Sequence, residues 1–190
     1  MHTVEKREEI LQSALEVISV HGFHGAPMSM IAEQAQVAMG TIYRFFPSKE
    51  CLIHELYKAL EIRFQKAVSE GLPVHRPVRE RFFHIGRFFI RYCLASPLDF
   101  RFLEQFQNSP FGAAYRRDRI LGNGDAGFLH DVLAEAQQEQ ILKPLPMAVL
   151  CALIFGPLIC LIRDHVLGFI RLDEPLVEET IAACWDAIRS

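Results

Sequence analysis

Residues 38–50 read AMGTIYRFFPSKE. A glycine, a threonine, a tyrosine and an arginine stand beside two adjacent phenylalanines, and the helix-start signal Pro-Ser-Lys-Glu follows at once. On a helix turning about 100° per residue, Ala38, Ile42, Phe45 and Phe46 fall on one side, and Gly40, Thr41, Tyr43 and Arg44 are left on the other. That second face is small, polar and singly basic. Gly40 permits close approach, Thr41 and Tyr43 carry hydroxyls that reach phosphates, and Arg44 matches a guanine edge in a major groove. The same spacing also describes a small helical cap whose Tyr43 and Arg44 only face solvent.

The flanking sequence supplies the rest of a helix-turn-helix. In EKREEILQSALEVISVHG, residues Ile10, Leu11, Ala14, Leu15 and Ile18 share one face, and Gly22 follows as a stop. MSMIAEQA, residues 28–35, predicts a short second helix, with Pro27 at its first turn. A tight turn near Gln36-Val37 leads into the third helix, residues 39–45. Two short helices joined by a turn and braced by an amphipathic first helix describe a helix-turn-helix unit, a pattern that any compact helical pair also produces. Ser48 then offers an N-cap for a long helix ended by Gly71. Lys49, beside the start of that helix, can add its charge to the helix dipole to hold a phosphate.

Residues 10–56, from ILQSALEVISVHGF through IAEQAQVAMGTIYRFFPSKECLIHEL, resemble the DNA-binding domain of the TetR/AcrR family of bacterial transcriptional regulators. Gly40, Thr41, Ile42, Tyr43, Phe46, Lys49, Glu50 and Leu52 fall on the family's pattern. The resemblance implies that Thr41, Tyr43 and Lys49 contact the DNA backbone, with Ser29 as a further phosphate contact and Arg44 as the base reader beside Gly40. Three positions depart from the pattern: Pro27 where a Ser or Thr is usual, Gln36 where Gly is usual, and Ala38 where a Ser caps the third helix. A missing hydroxyl cap costs about 1 kcal/mol, so the third helix is expected to be less firmly held.

Charge bounds how this unit binds. The whole chain of 190 residues carries a net charge of −3, which argues against a general polyanion binder. Residues 1–60 hold five lysines and arginines against seven glutamates. Few phosphate contacts per protomer are therefore expected, and specific binding needs two protomers acting together.

Beyond Gly71 the chain reads as helix throughout. RPVRERFFHIGRFFIRYCLASP predicts a helix over 77–95, LDFRFLEQFQ a short one, and DAGFLHDVLAEAQQEQ a longer one. An apolar segment gives a helix over 146–168, bent at Pro157. Asp173 caps a last helix striped by Val177, Ile181, Cys184, Trp185 and Ile188. The expectation is an all-α, nine-helix bundle. Its helix-turn-helix domain is residues 1–47, and its ligand-binding and dimerisation domain is 48–190, with 48–70 as the connecting helix.

Phe82, Ile85, Phe89 and Cys93 share a helix face, opposite His84, Arg87 and Arg91. Each phenylalanine alone fits plain core packing. Together, Phe82, Phe89, Cys93, Phe102, Phe106 and Phe155 are the candidate lining of an aromatic cavity. The family resemblance implies a small-molecule pocket here, so the effector is expected to be apolar or aromatic. Leu158, Ile162, Ile181, Trp185 and Ile188 are the candidate dimer contacts, pairing the last two helices with their symmetry mates.

Several other signals carry less. GNGDAG at 122–127 matches GxGxxG, but no strand precedes it, and a loop is expected instead. Tyr115 to Arg119 reads as a solvated charge run. No nucleophile elbow, zinc motif or P-loop occurs, and the adjacent pairs Asp164-His165 and His130-Asp131 point to different helix faces. No catalytic residue, metal or cofactor is expected. The five cysteines are odd in number and lack a CxxC, as suits reduced thiols in the cytoplasm; the N-terminus MHTVEKREEILQ has no signal-peptide pattern.

Two rivals remain beside the reading as a dimeric, ligand-released repressor on a palindromic operator. One is a helical enzyme acting on an apolar substrate through Cys93 or Cys160. The other is a membrane-associated protein using residues 145–162, which are uncharged and long enough to span.

Overall fold

The computed structural model describes residues 2–120 and 127–190. Ten helices occur among them: α1 (His2–Gly25), α2 (Met28–Gln34), α3 (Met39–Phe45), α4 (Lys49–Ser69), α5 (Val78–Ala95), α6 (Pro97–Gln107), α7 (Pro110–Ile120), α8 (Gly127–Gln138), α9 (Met147–Val166) and α10 (Glu174–Ile188). The all-α expectation holds; the count of nine falls one short. The added helix is α7, in the stretch read as a charge run. Ser109 caps it, its hydroxyl oxygen accepting from Gly112 N at 3.3 Å, and Pro110 occupies the first turn, where a missing N–H costs nothing. Of the GNGDAG segment, residues 122–126 lie outside the described residues.

Helix ends follow the side chains available. Cys51 N donates to Ser48 Oγ at 3.1 Å, and Leu176 N to Asp173 Oδ1 at 3.1 Å, so both predicted N-caps form. Gly22 breaks α1 with φ 71° and ψ 172°. Three helices end in one hydrogen-bond pattern. Val37 N donates to Ala32 O and Gln36 N to Glu33 O after α2; Ile141 N to Ala136 O and Gln140 N to Gln137 O after α8; Phe169 N to Asp164 O and Gly168 N to His165 O after α9. Each needs one left-handed residue. Glycine supplies it at Gly168 (φ 78°), but Gln36 (φ 53°) and Gln140 (φ 57°) supply it elsewhere.

The chain forms two compact units, residues 1–63 with 96–117, and residues 64–95 with 118–190. In the first, Ile10, Ala14 and Ile18 of α1 meet Ile31, Ile42, Phe46, Leu52, Ile53 and Leu60, all 0% exposed. α6 belongs to this unit. Ser19 Oγ donates to Leu98 O at 3.0 Å, Phe102 meets Phe23 edge-on at 5.8 Å, and Phe106 stacks on Tyr57 at 4.1 Å.

In the second unit, α5, α9 and α10 enclose Phe82, Ile85, Ile90, Leu150, Ile154 and Val177. Charged pairs clamp its rim. Arg81 binds both oxygens of Glu135 at 2.8 and 2.5 Å, Arg87 binds both oxygens of Glu178, and Arg91 reaches Glu174 at 3.0 Å. Burial corrects the proposed dimer contacts. Leu158, Ile162, Ile181, Trp185 and Ile188 are only 0–6% exposed within one protomer, because α9 and α10 turn those stripes toward each other and toward α5. At most 6% of any of them is left for a partner. The apolar face of α9 that remains exposed runs through Ala148, Val149, Ala152, Gly156, Pro157 and Cys160.

Candidate nucleic-acid interface

α3 is seven residues long and stands on two anchors. Ile42 and Phe46 are both 0% exposed, and Phe45 is half-buried against the same core. Ala38 is not part of that underside. It is exposed and serves as N-cap (φ −68°, ψ 147°), accepting from Thr41 N at 2.9 Å through its carbonyl, with no side-chain cap. Pro27 likewise caps α2 with no side-chain bond.

With Ile42 and Phe46 pinned, the other face must point outward. Gly40 and Arg44 are exposed, Tyr43 is 47% exposed, and Thr41 is half-buried at the edge. A Cβ at Gly40 would find no heavy atom within 4 Å, so the helix surface there is open. Ser29, early in α2, is exposed too. Met39 is a residue that sequence reasoning passed over; it is 39% exposed at the first position of α3. Only the phase fixed by Ile42 could have singled it out.

Cations in this unit are mostly engaged. Lys6 pairs with Glu9 at 2.7 Å, Arg7 with Glu55 at 2.5 Å, and Lys58 with Glu55 at 3.3 Å. Lys49 donates through Nζ to the carbonyl oxygen of Phe23, and burial holds its pKa below the usual lysine range. Arg44 has no carboxylate partner among the described residues; its guanidinium lies over the Phe45 ring, 5.2 Å from the centroid. An open groove of about 670 Å³ between α1 and α4 is rimmed by Glu5, Glu8 and Glu9, unlike the apolar pocket expected for an effector.

The six candidate pocket residues do not form one group. Phe102 and Phe106 fill the first unit's core at 0% exposure. Phe82 packs on Trp185 at 5.1 Å, and Cys93 is buried. Phe89 meets Phe155 at 5.1 Å and Phe64 at 6.0 Å, and Phe64 in turn meets Phe88 at 5.7 Å and Tyr92 at 5.2 Å. These five rings are half-buried and make the second unit's aromatic cluster. No group of three or more metal-ligating side chains occurs among the described residues.

Residues 10–56 match the bacterial regulatory proteins of the tetR family, and residues 77–189 match the tetracyclin repressor-like C-terminal domain. The chain belongs to the TetR family. It is a transcription regulator, not an enzyme, and TetR-family regulators bind DNA operators, typically as dimers. A TetR-family regulator of known structure from Vibrio parahaemolyticus is 31% identical, with a TM-score of 0.76, over 97% of this chain and 99% of that one. One from Shewanella sp. PV-4 is 25% identical, with a TM-score of 0.85, over 97% and 98%. Among curated relatives, the HTH-type transcriptional repressor KstR of Rhodococcus jostii is 42% identical over 67 residues, 35% of this chain and 30% of that protein. The fatty acid metabolism regulator protein of Bacillus subtilis is 36% identical over 76 residues, 40% of this chain and 39% of that protein. The matches thus span about a third of the length of these curated relatives.

α9 is long and apolar enough to cross a membrane by composition, and only 22% of its most apolar 18-residue stretch is buried. Its inward stripe, Leu150, Ile154, Leu158 and Ile162, nevertheless packs within the second unit.

Proposed function

We propose that this TetR-family chain is a repressor that binds a palindromic operator as a homodimer in the cytoplasm and is released by a largely apolar small molecule. One observation carries the DNA reading: Gly40, Tyr43 and Arg44 stand exposed on a helix whose opposite side is anchored by Ile42 and Phe46. Thr41, Tyr43, Ser29 and Lys49 take phosphates, and Arg44 takes a guanine edge. The uncovered apolar strip of α9, from Val149 to Cys160, receives a second copy, because an exposed apolar surface of this kind favours association. The dimer presents two α3 helices to successive turns of the duplex.

The effector is assigned to the second unit, against Phe64, Phe88, Phe89, Tyr92 and Phe155. Arg87 and Arg91 are committed to Glu178 and Glu174 and offer no anchor for an acid. The name of the Bacillus subtilis relative, a fatty acid metabolism regulator, makes fatty acids the first class to try. α4 carries residues of both units, so displacement of its second half by a ligand would reset the reading helices. A coupling of about 1–3 kcal/mol would weaken operator binding about 5–150-fold. Fluorescence anisotropy on a selected palindromic duplex, titrated with fatty acids and aromatic compounds, tests this. No sequence preference at all would remove the operator reading; unchanged affinity across a broad ligand panel would remove release by ligand.

A further inference from the structure

We infer that Met39 reads the C5-methyl group of thymine, making it a specificity-determining residue of α3. This rests on the reading of α3 as the helix that enters the major groove. Met39 is 39% exposed and Tyr43, one turn later, is 47% exposed, so the two form an exposed stripe along one side of the helix. Between them Gly40 has open space where a side chain would stand, which lets base edges come close to the backbone.

The polar inventory of this face is thin. Residues 39–45, MGTIYRF, contain no amide and no carboxylate side chain, which removes the usual partners of adenine and of the cytosine amino group. Thr41 is half-buried, and the Arg44 guanidinium lies over Phe45. Hydrogen bonding from α3 can therefore specify few base pairs. The apolar feature a base pair offers in the major groove is the thymine methyl. An unbranched, polarizable thioether adapts to it and leaves water on contact. The stripe that looks wasted on solvent is thus matched to a groove surface.

The test starts from a random-sequence duplex library. Full-length protein selects a preferred duplex, which is resynthesised with deoxyuridine replacing each thymine in turn; this deletes only the methyl. Wild-type protein is expected to lose about fourfold in affinity for one critical methyl, the weight of one buried methyl-sized group, and about fifteenfold when both half-sites are changed. Met39→Ala is expected to bind the thymine and deoxyuridine duplexes equally, while Met39→Leu keeps the preference. Met39 is largely outside the core, and melting curves confirm that both variants are folded. Indifference of the wild type to deoxyuridine at every position, or a preference that survives in Met39→Ala, would overturn the inference and leave operator binding standing. Failure of the library to yield any preferred sequence would overturn operator reading itself, and this inference with it.

Discussion

Lys49, at the start of α4, donates a hydrogen bond from Nζ to the carbonyl oxygen of Phe23, close to the end of α1. The bond uses one of the three N–H donors of an ammonium and leaves two for a phosphate. Burial lowers the pKa of Lys49 from its ordinary value. The same side chain thus braces two helices and, on the proposed reading of α3, also takes a phosphate.

Lys49→Met separates these roles. Orphaning the Phe23 carbonyl should cost about 1 kcal/mol, seen as a small fall in Tm. Loss of a phosphate contact in each protomer should flatten the slope of log K against log salt by about 1.8 for the dimer. A lower Tm with an unchanged salt slope would leave Lys49 as a brace alone.

The helix-turn-helix was legible because its short helices bury one face only, so Ile42 and Phe46 set the phase of everything between them. Met39 belongs to neither face drawn from the sequence, because an apolar residue beside a buried stripe has no polar group to mark it as exposed. α9 is apolar nearly all round, so no periodicity could separate the stripe it buries from the one it exposes. Leu158 and Ile162 were chosen for a partner and proved internal. Phe102 and Phe106 look like any aromatic pair at helical spacing, and nothing in α6 announces that it joins the first unit's core. α7 carries a start signal, Ser109-Pro110, but the run from Arg116 to Arg119 behind it offers no apolar face.

The turn before α3 is strained in a way that substitution can relieve. Gln36 sits at φ 53°, where the hydrogen bonds closing α2 require a left-handed residue. Relief of about 1–2 kcal/mol, less about 0.5–1 kcal/mol for the freedom that glycine gives the unfolded chain, leaves a gain of about 0.5–1 kcal/mol for Gln36→Gly. Ala38→Ser should add about 1 kcal/mol, since Ala38 already has cap geometry without a side-chain acceptor. The double variant is expected to melt roughly 3–8 °C higher and to bind its operator at least as well. A drop in Tm for either single change would contradict the assigned turn geometry.

Acid should weaken the second unit in two stages. Burial, followed by the nearby charge of Arg87, holds the His84 pKa below its ordinary value, and its Nε2 is buried without a hydrogen-bond partner among the described residues. As pH falls through about 6.5, the unfolded chain takes a proton that the folded chain refuses, so stability declines until the lower folded pKa is passed. Glu135 and Glu178 act in a lower window. Hydrogen bonds from Arg81 and Arg87 depress their pKa values, so their contribution is complete above the ordinary carboxylate range and is lost as pH falls through the folded values. Melting curves from pH 7.5 down to about 5.5 should show Tm falling, and His84→Gln should flatten that part of the profile while leaving the acid limb below about pH 4.5. An identical slope in His84→Gln would show that other groups set the first stage.

The dimer proposal turns on which stripe of α9 meets a partner. Val149 is 41% exposed and Ala152 is exposed, whereas Leu158 and Ile162 are 1% and 0% exposed. Val149→Asp and Ala152→Arg place charge on the outer strip and leave the protomer's core as it is. Each should shift the protein to monomer in sedimentation equilibrium, with the helical circular dichroism signal retained. Operator affinity should fall at least tenfold, because the second half-site then loses its tethered reader. Leu158→Ala should behave differently, lowering Tm through a core cavity worth about 2–5 kcal/mol while the remaining folded protein still pairs. If both charged variants stay dimeric and keep full affinity, protomers meet through some other surface, and the strip from Val149 to Cys160 needs a different partner.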